Sequence, residues 1–425
     1  MTAIIVIIFV AGYLAIAFEH LLKINKAASA LLTGVLCWSI YALWGVEKEF
    51  VSGELAHHLS DIAGILFFLL GAMVIVELID AHDGFEIITE RIHTTSKSKL
   101  VWIIGILAFF LSAVLDNLTT TIVMVSLLRK FIPAHKDRLM FAGLIVISAN
   151  AGGAWSPIGD VTTTMLWIGN QITTANIIVK TILPSLVCFF IPALFISMQM
   201  KGSLEPMPEK MQKLNSTVNE RRTVFIIGVA CLLFVPVFKT ITHLPPYMGI
   251  VFGLGTMWVL TELVHSEKDE MEKGIFSVNH ALKKIDTPSI LFFLGILLAV
   301  SALQSTGILT SVSAYLDKSI GNISIITIII GFLSAVVDNV PLVAAAQGMY
   351  SLDQYPTDHF FWEFLAYCSG TGGSILIIGS AAGVAAMGME RIQFGWYLKK
   401  IAWLAIIGYL AGAAVFLLQH YLLHL

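Results

Sequence analysis

The stretch Phe110-Leu111-Ser112-Ala113-Val114-Leu115-Asp116-Asn117 recurs, with a single substitution, as Phe332-Leu333-Ser334-Ala335-Val336-Val337-Asp338-Asn339. In both copies an Asp-Asn pair follows a long apolar run. A charged side chain in the middle of a bilayer costs about 3 kcal/mol or more, so packing alone does not account for two of them. The duplication predicts two related halves, each of which brings an Asp-Asn pair into the membrane.

The composition is that of a polytopic membrane protein. The chain has 425 residues, of which 57% are hydrophobic and 12% charged, whereas soluble domains have about 25% charged residues. The four cysteines lie in apolar segments without the spacing of a metal site. The sequence contains no glycine-rich phosphate loop and no basic patch that suits nucleic acid. We therefore expect membrane lipid around the protein, with no nucleic-acid partner and no cofactor.

The apolar segments predict an all-α polytopic membrane protein built from two repeats of the same order. Each repeat has three spans, the Asp-Asn segment, a span interrupted by glycines, and a last span. The first repeat covers residues 1–200 and the second covers residues 222–425. The polar segment 201–221 between them is predicted to be a cytoplasmic linker.

The apolar arms beside each Asp-Asn pair are too short to cross a bilayer. An arm of about 15 residues covers about 23 Å, whereas the hydrocarbon core is about 30 Å thick. We therefore expect re-entrant helical hairpins at 99–131 and 322–350, each with its Asp-Asn pair at the tip. The interrupted spans at 139–169 and 361–388 are predicted to be broken transmembrane helices, because glycine and proline disfavour continuous helix.

The order of the spans predicts that the two repeats are inverted. Because each hairpin returns to its own side, each half crosses the membrane five times. An odd number of crossings places the second half upside down relative to the first. Most of the 25 Lys and Arg residues then lie on one face. The positive-inside rule makes this basic face cytoplasmic and both termini external. The other face receives only Lys48, Lys180, Lys239 and Lys318.

The four interruptions carry oxygen ligands and neither Lys nor Arg. Broken helices also free backbone carbonyls that can bind cations. Carboxylate and neutral oxygen ligands suit a small hard cation, whereas an anionic substrate would lack a counter-charge. The side chains concerned are Asp116, Asn117, Ser148, Asn150, Asp160, Thr162, Asp338, Asn339, Ser369, Thr371 and Ser374.

Helix capping is the alternative role for Asp116, Asp160 and Asp338, since Asp is a good N-cap residue. A neutral residue would cap a helix without burying a charge, so we favour ion binding. The other titratable groups considered, as candidates for pH sensing, are Glu77, His93 and Glu363.

These motifs resemble the NhaD-type sodium/proton antiporters of the ion transporter superfamily. The resemblance covers nearly the whole chain and is carried by segments 112–121, 148–153, 156–163 and 337–341. It implies a homodimer in which a scaffold from each subunit forms the interface and a hairpin-bearing domain moves.

The resemblance also implies the site residues. Cations and protons would bind at Asp116, Asn117, Asn150, Asp160, Asp338 and Asn339, with Na⁺ at the first four. The supporting side chains would be Ser112, Thr119, Ser148, Ser156, Thr162, Ser334, Ser369, Thr371 and Ser374. Ser380 stands in the second half where Asp160 stands in the first, so we expect the half with two carboxylates to dominate and Asp338 to be the weaker proton carrier.

The predicted function is export of Na⁺, and also Li⁺, in exchange for H⁺ across the cytoplasmic membrane. A carboxylate removed from water binds a proton more readily, and Na⁺ binds only the ionised form. One group therefore carries either cation but not both, which couples their movements. Inverted repeats supply two nearly equivalent conformations that expose the site to each side in turn.

Three alternatives remain open at this point. A sodium-coupled dicarboxylate symporter is disfavoured by the carboxylates at the interruptions and the missing counter-charge, and an oxyanion or arsenite exporter belongs to the same superfamily. An intramembrane aspartyl protease would also use two aspartates, but such enzymes carry Gly-x-Gly-Asp, and the segment before Asp160 lacks the first glycine. Succinate or citrate uptake, metalloid resistance and cleavage of a membrane peptide would discriminate among them.

The topology can be tested with reporters at the ends of the predicted segments. A reporter fused after Leu425 should be active only outside the cytoplasm, because the basic segments 201–222 and 263–287 are predicted to be cytoplasmic. A fusion within 201–222 is the matched control. Cytoplasmic activity of the Leu425 fusion would contradict the inverted-repeat count.

Overall fold

The computed structural model describes residues 1–44, 48–89, 92, 94–204 and 216–423. His93, most of the predicted linker and residue 425 lie outside the described residues. Every named element in the described part is an α-helix, which confirms the all-α class.

The helices follow the chain in two series, one in each half. The first series is α1 (Thr2–Ala17), α2 (Glu19–Leu22), α3 (Lys26–Trp44), α4 (Lys48–Ala81), α5 (Glu86–Thr89), α6 (Lys97–Leu115), α7 (Asn117–Phe131), α8 (His135–Gly153), α9 (Val161–Ile168) and α10 (Thr174–Gln199). The second series is α11 (Val218–Thr242), α12 (Pro246–Val264), α13 (Glu270–Phe276), α14 (Val278–Lys284), α15 (Thr287–Ser305), α16 (Ile308–Ile320), α17 (Ile323–Leu333), α18 (Asn339–Met349), α19 (Phe360–Gly372), α20 (Ala381–Glu390), α21 (Phe394–Lys400) and α22 (Ala402–Leu423).

Eight helices of the described residues are long and apolar enough to cross a membrane, or nine if the bent pair α16–α17 forms one span. The eight are α3, α4, α6, α10, α11, α12, α15 and α22. The protein is therefore an integral multi-pass membrane protein. Seven of the eight are among the ten predicted crossings, whereas α6, with 19 residues, is longer than the hairpin arm of about 15 residues that the sequence predicts there. One predicted crossing is absent from the eight because α1 has only 16 residues, whereas a span needs about 20. The interrupted spans also divide into shorter helices.

Two segments differ from the sequence-based expectation. The predicted linker 201–221 ends early, because α11 begins at Val218 and is held by a capping box between Thr217 and Glu220. Helix α16 was not predicted at all. It bends by 117° into α17, and its alternation of apolar and polar side chains suits a helix that has only one face against the protein.

The four interruptions have the same local design. Each ends one helix and begins the next with a capping side chain that accepts a hydrogen bond from the new helix. Asp116 caps α7, Asp160 caps α9, Asp338 caps α18 and Ser380 caps α20. Capping is therefore one role of the three aspartates, as the alternative reading required, and it fixes where their carboxylates lie.

Asp116 has an unusual backbone conformation at the first interruption. Its φ is 75° and its ψ is 161°, a region that is populated almost only by glycine. The chain adopts this conformation at the point where α6 ends and α7 begins.

The helices pack in two groups, with the interruptions between them. In one group α3 packs along α15 and α4 packs along α12, while α1 and α11 lie outside. In the other, α6 packs on α8, α17 packs on α19, and α10 packs along α22. The ends of α9 and α18 contact both each other and members of the two groups, so the interruptions lie where the groups meet.

Glycines bring the helix backbones together at the interruptions. A Cβ atom added to Gly152 would collide with the backbone of Phe109, and one added to Gly372 would collide with the backbone of Gly331. These two glycines hold equivalent positions in the two halves. Close backbone approach through small residues is the usual way in which membrane helices associate.

Substitution of these glycines should therefore destabilise the fold. Gly152→Ala and Gly372→Ala are each expected to lower the free energy of unfolding by about 1–3 kcal/mol, because the added methyl group overpacks the contact. The measurement is thermal unfolding of the purified protein in detergent. Gly388→Ala is the matched control, because a Cβ atom there meets nothing within 4 Å. Equal melting of the three variants would contradict this account.

Candidate ion-binding site

Asp160 lies at the centre of the candidate site. The residue is 1% exposed. Its Oδ1 accepts hydrogen bonds from the backbone N–H and the hydroxyl of Thr162, at 2.9 and 2.8 Å. Its Oδ2 accepts a hydrogen bond of 2.6 Å from Nδ2 of Asn117. A buried carboxylate with such partners is held in one orientation, since its oxygens are saturated with donors.

The second half of the chain also reaches Asp160. Nδ2 of Asn339 lies 3.5 Å from each oxygen of the Asp160 carboxylate. Asn117 and Asn339 are the equivalent residues of the duplicated octapeptide. The two copies therefore converge on one carboxylate, instead of forming two separate sites.

Asn150 extends this cluster across the two halves. Its Oδ1 accepts a hydrogen bond of 3.0 Å from Asn117, and its Nδ2 donates one of 3.0 Å to the hydroxyl of Ser380. The four residues linked by these hydrogen bonds, Asp160, Asn117, Asn150 and Ser380, are all buried. The cluster thus contains amide, hydroxyl and carboxylate oxygens within one network, which is the ligand set of a hard cation.

Asp116 caps its own helix and faces an apolar wall. Its two carboxylate oxygens accept hydrogen bonds from the backbone N–H and the hydroxyl of Thr119, both at 2.8 Å. Phe68, Leu69 and Ile250 line the same cavity as Asp116. The direct contact with Asp160 comes from the neighbouring residue Asn117, and not from the Asp116 carboxylate.

Asp338 has a cationic neighbour that the sequence did not indicate. Oδ2 of Asp338 lies 3.8 Å from Nζ of Lys26, which is the first residue of α3. The expectation of interruptions without Lys or Arg holds along the chain but fails in space, because a distant helix supplies the charge. Oδ1 of Asp338 accepts a hydrogen bond of 3.2 Å from the backbone N–H of Val340.

Most of the supporting side chains bind backbone carbonyls. Equivalent bonds hold the two halves: Ser112 donates to the carbonyl of Ala149 at 2.6 Å, and Ser334 donates to that of Ser369 at 2.8 Å. Ser148 is buried and its hydroxyl has no hydrogen-bond partner among the described residues. The remaining bonds to carbonyls are Ser156 to Ala113, Ser369 to Leu365, Thr371 to Tyr367 and Ser374 to Thr371. Ser369, Thr371 and Ser374 thus bond to α19 itself, and the structure does not bring their hydroxyl hydrogens to Asp338.

Of the three candidates for pH sensing, Glu77 and Glu363 contact residues that do not belong to this cluster. Glu77 pairs with Lys284, with 3.2 Å between Oε1 and Nζ. Glu363 is fully buried and accepts a hydrogen bond from Asn176. His93 is not among the described residues.

The sequence analysis identified Ser380 opposite Asp160 but missed a second difference between the halves, at Asn150. Alignment of the paired glycines puts Gly370 opposite Asn150 and Ser380 opposite Asp160. In space, a Cβ atom on Gly370 would lie 3.8 Å from Oδ2 of Asp160. The second half therefore has its smallest residue, Gly370, beside the Asp160 side chain. Alignment of the two halves through their paired glycines could have predicted this replacement of Asn150 by glycine.

A polar cavity of about 390 Å³ lies beyond the cluster. Its walls come from α4, from the C-terminal ends of α9 and α18, and from α15. Asp160 and Asn339 lie at the opposite, N-terminal ends of α9 and α18, so these two helices connect the cluster with the cavity. Polar residues on the walls include His57, His58, Asp61, Asn170, Gln304 and Gln347.

Comparisons with known proteins agree on a transporter family. Residues 5–363 match the family model described as citrate transporter. Sodium/proton antiporter 2 of Arabidopsis thaliana is 46% identical over 417 residues, which cover 97% of this chain and 99% of that protein. Sodium/proton antiporter 1 of the same plant is 47% identical, covering 97% of this chain and 72% of that protein. The Na⁺/H⁺ antiporter NhaD of Vibrio cholerae is 30% identical, covering 98% of this chain and 91% of that protein.

The two amides should contribute unequally to stability. Asn117→Ala is expected to lower the free energy of unfolding by about 2 kcal/mol, because it removes the shortest charge-assisted hydrogen bond to the buried Asp160 carboxylate. Asn339→Ala should cost less, since its contacts with Asp160 are 3.5 Å long. Thermal unfolding in sodium-free buffer measures both changes. A larger loss for Asn339→Ala would contradict the geometry.

Proposed function

Because the chain belongs to the NhaD family of sodium/proton antiporters, within the citrate-transporter family, we propose that it exports Na⁺, and also Li⁺, in exchange for H⁺. The motif resemblance is confirmed by the relatives, and the activity named for them is one of transport and not of an enzyme. The observation that carries the proposal for this chain is the buried Asp160 carboxylate, which amides from both halves approach.

Competition at Asp160 couples the two ions. A proton neutralises the carboxylate, whereas Na⁺ requires it ionised and adds ligands from nearby oxygens. The amide of Asn117 donates to Asp160 and to Asn150, and rotation of such an amide exchanges its N–H group for its oxygen. Asn117 and Asn339 can therefore support the carboxylate as donors when no cation is present, and the amide oxygens of both, together with that of Asn150, can serve as ligands when Na⁺ binds.

Asp116 and Asp338 have different parts in this proposal. Asp116 orients Asn117 through the start of α7 and is the second proton-carrying group, with its carboxylate against an apolar wall. Asp338 holds Asn339 in the same way at the start of α18, but its charge is balanced by Lys26. This supports the expectation that the first half dominates proton transfer and that Asp338 has a weaker role.

We further propose that the two halves are inverted repeats. Their contacts come in equivalent pairs: α3–α15 matches α12–α4, α1–α3 matches α11–α12, α6–α8 matches α17–α19, and α7–α20 matches α18–α9. Such pairing is what an approximate two-fold axis between the halves would produce, and the five predicted crossings of each half would put this axis in the membrane plane. In each match, either both contacts join the two halves or both lie within a single half.

The proposal includes a re-entrant hairpin in each half. Helices α6 and α7 contact each other and both pack on α8, while α17 and α18 both pack on α19. The arms of α17 and α18 have 11 residues each, which cover about 17 Å and cannot cross a core of about 30 Å. The repeats would carry the hairpins into the membrane from opposite sides, at 99–131 and 322–350.

Alternating access would use the polar cavity as one route to the site. The cavity adjoins the C-terminal end of α9 and the start of α4, which the predicted topology assigns to the external side. The carboxylate of Asp61 and the side-chain amide oxygens of Asn170, Gln304 and Gln347 suit the passage of a cation. A rearrangement of the two packing groups would then expose Asp160 to the cytoplasm.

We expect a homodimer in the cytoplasmic membrane, with α11 and α12 in the interface. Buried residues make up only 22% and 28% of these two spans, against 44% or more in each of the other six. Their exposed side chains are largely apolar, among them Ile226, Leu233, Val237, Phe252 and Val259. Such faces fit either lipid or the same faces of a second subunit.

Citrate or dicarboxylate transport is the second candidate function, because the matching family model is described as citrate transporter. The central side chain of the cluster is itself a carboxylate, so an anionic substrate would meet repulsion there. Lys26, which would be the obvious counter-charge, is paired with Asp338. Citrate uptake into proteoliposomes in the absence of Na⁺/H⁺ exchange would favour this candidate over the antiporter.

Replacement of the aspartates by asparagine tests the proposed function. Asp160→Asn and Asp116→Asn should each abolish exchange, because the titratable group is lost while its shape is kept. Asp338→Asn should reduce exchange but retain part of it, and Asp116→Glu should keep some activity because it only displaces the carboxylate. The measurement is Na⁺-dependent dequenching of a pH-sensitive dye in everted vesicles over a pH series.

Asp353→Asn is the matched control for these variants, because Asp353 is exposed in the loop before α19. Expression of each variant is checked by immunoblot. Full exchange in Asp160→Asn would overturn the assignment of Asp160 as the shared group. A pH profile that shifts in Asp338→Asn but not in Asp160→Asn would mean that the second half dominates.

A further inference from the structure

Lys26 and Asp338 form an ion pair at the second interruption. The distance between Nζ and Oδ2 is 3.8 Å, and the two side chains are 25% and 16% exposed. The same ammonium lies 4.5 Å from the centroid of the Phe292 ring on α15. Lys26 is therefore held between a carboxylate and an aromatic face, two groups that both attract cations.

The equivalent position in the first half lacks this cation. The cavity beside Asp116 is lined by apolar residues of α4, α11 and α12, including Phe68, Leu232 and Ile250. Within the described part of the chain, ion pairing of the duplicated aspartates is recorded for Asp338 and not for Asp116. The ion pair between Lys26 of the first half and Asp338 of the second thus has no counterpart at Asp116 among the described residues, and the pseudo-symmetry of the fold does not require it.

The ion pair joins α3, which belongs to one packing group, to the interruption between α17 and α18. Lys26 begins α3, which packs on α1 and α15, whereas Asp338 precedes α18. The next residue, Asn339, lies 3.5 Å from Asp160. A cation bound at Asp338 would therefore be only one residue along the chain from a group that contacts the proposed Na⁺ site.

We propose that Lys26 is a tethered competitor for the transported cation at Asp338. Its ammonium occupies the carboxylate in this conformation, and Na⁺ that reaches Asp338 on its way to Asp160 must displace it. Lys26 thereby weakens the apparent affinity for Na⁺ and prevents Asp338 from retaining a cation. This inference rests on the proposed antiport function and adds a specificity-determining residue to it.

Removal of the ammonium should strengthen Na⁺ binding. Without Lys26, Asp338 is a partly buried carboxylate with no counter-charge, and such a group is costly until a cation replaces the lost partner. Lys26→Met and Lys26→Gln are each expected to raise the apparent affinity for ²²Na⁺ about threefold to fivefold, because a partly exposed ion pair contributes up to about that factor. Lys26→Arg, which keeps the charge, should bind Na⁺ close to the wild-type level.

The experiment is equilibrium binding of ²²Na⁺ to the purified full chain at alkaline pH, where protons compete least. The double variant Lys26→Met/Asp338→Asn should lose the gain, since it removes the carboxylate that Na⁺ would occupy. Lys318→Met, at an exposed lysine of α16, is the control for the loss of one positive charge. It should leave Na⁺ affinity unchanged.

The outcomes separate this inference from the proposed function. Unchanged or weaker Na⁺ affinity in both Lys26→Met and Lys26→Gln would overturn the competitor role, including the case in which only the melting temperature falls. A gain that persists in the double variant would overturn it as well. Absence of saturable Na⁺ binding and of exchange in the wild-type protein would instead overturn the proposed function.

Discussion

The structure depends on one buried carboxylate that must be satisfied from both halves of the chain. Asp160 is buried, and donors from its own helix and from the two duplicated Asp-Asn motifs surround its carboxylate. To deliver these donors, α6 and α17 must end near Asp160, and α7 and α18 must begin there. The glycines that allow α8 and α19 to approach those ends follow from the same requirement.

The duplication has produced a site that is shared but unequal. Asn117 and Asn339 keep their identity, whereas Gly370 and Ser380 replace the equivalents of Asn150 and Asp160. This replacement removes a second carboxylate from the centre, where two like charges would repel each other at short range. The remaining carboxylate lies on the first half, which also supplies Lys26, the counter-charge of Asp338 in the second half.

The sequence predicted the features that depend on local pattern, and it failed for those that depend on distant contacts. The repeated octapeptide located both Asp-Asn interruptions, and the Gly and Pro residues located the breaks after Gly153 and Gly372. The approach of Lys26 to Asp338 joins residues from opposite ends of the chain, and no local pattern encodes it. Helix α16 was missed because its mixed polarity matches neither a span nor a linker.

The backbone of Asp116 has a consequence for how this position can vary. A non-glycine residue in its conformation stores about 1–3 kcal/mol of strain, which the surrounding helices must hold. Glycine at this position would relieve that strain and at the same time delete the carboxylate and the cap of α7. Stability and transport therefore favour different residues at position 116. Selection for a more heat-resistant protein would be expected to replace Asp116 and to reduce activity as a result.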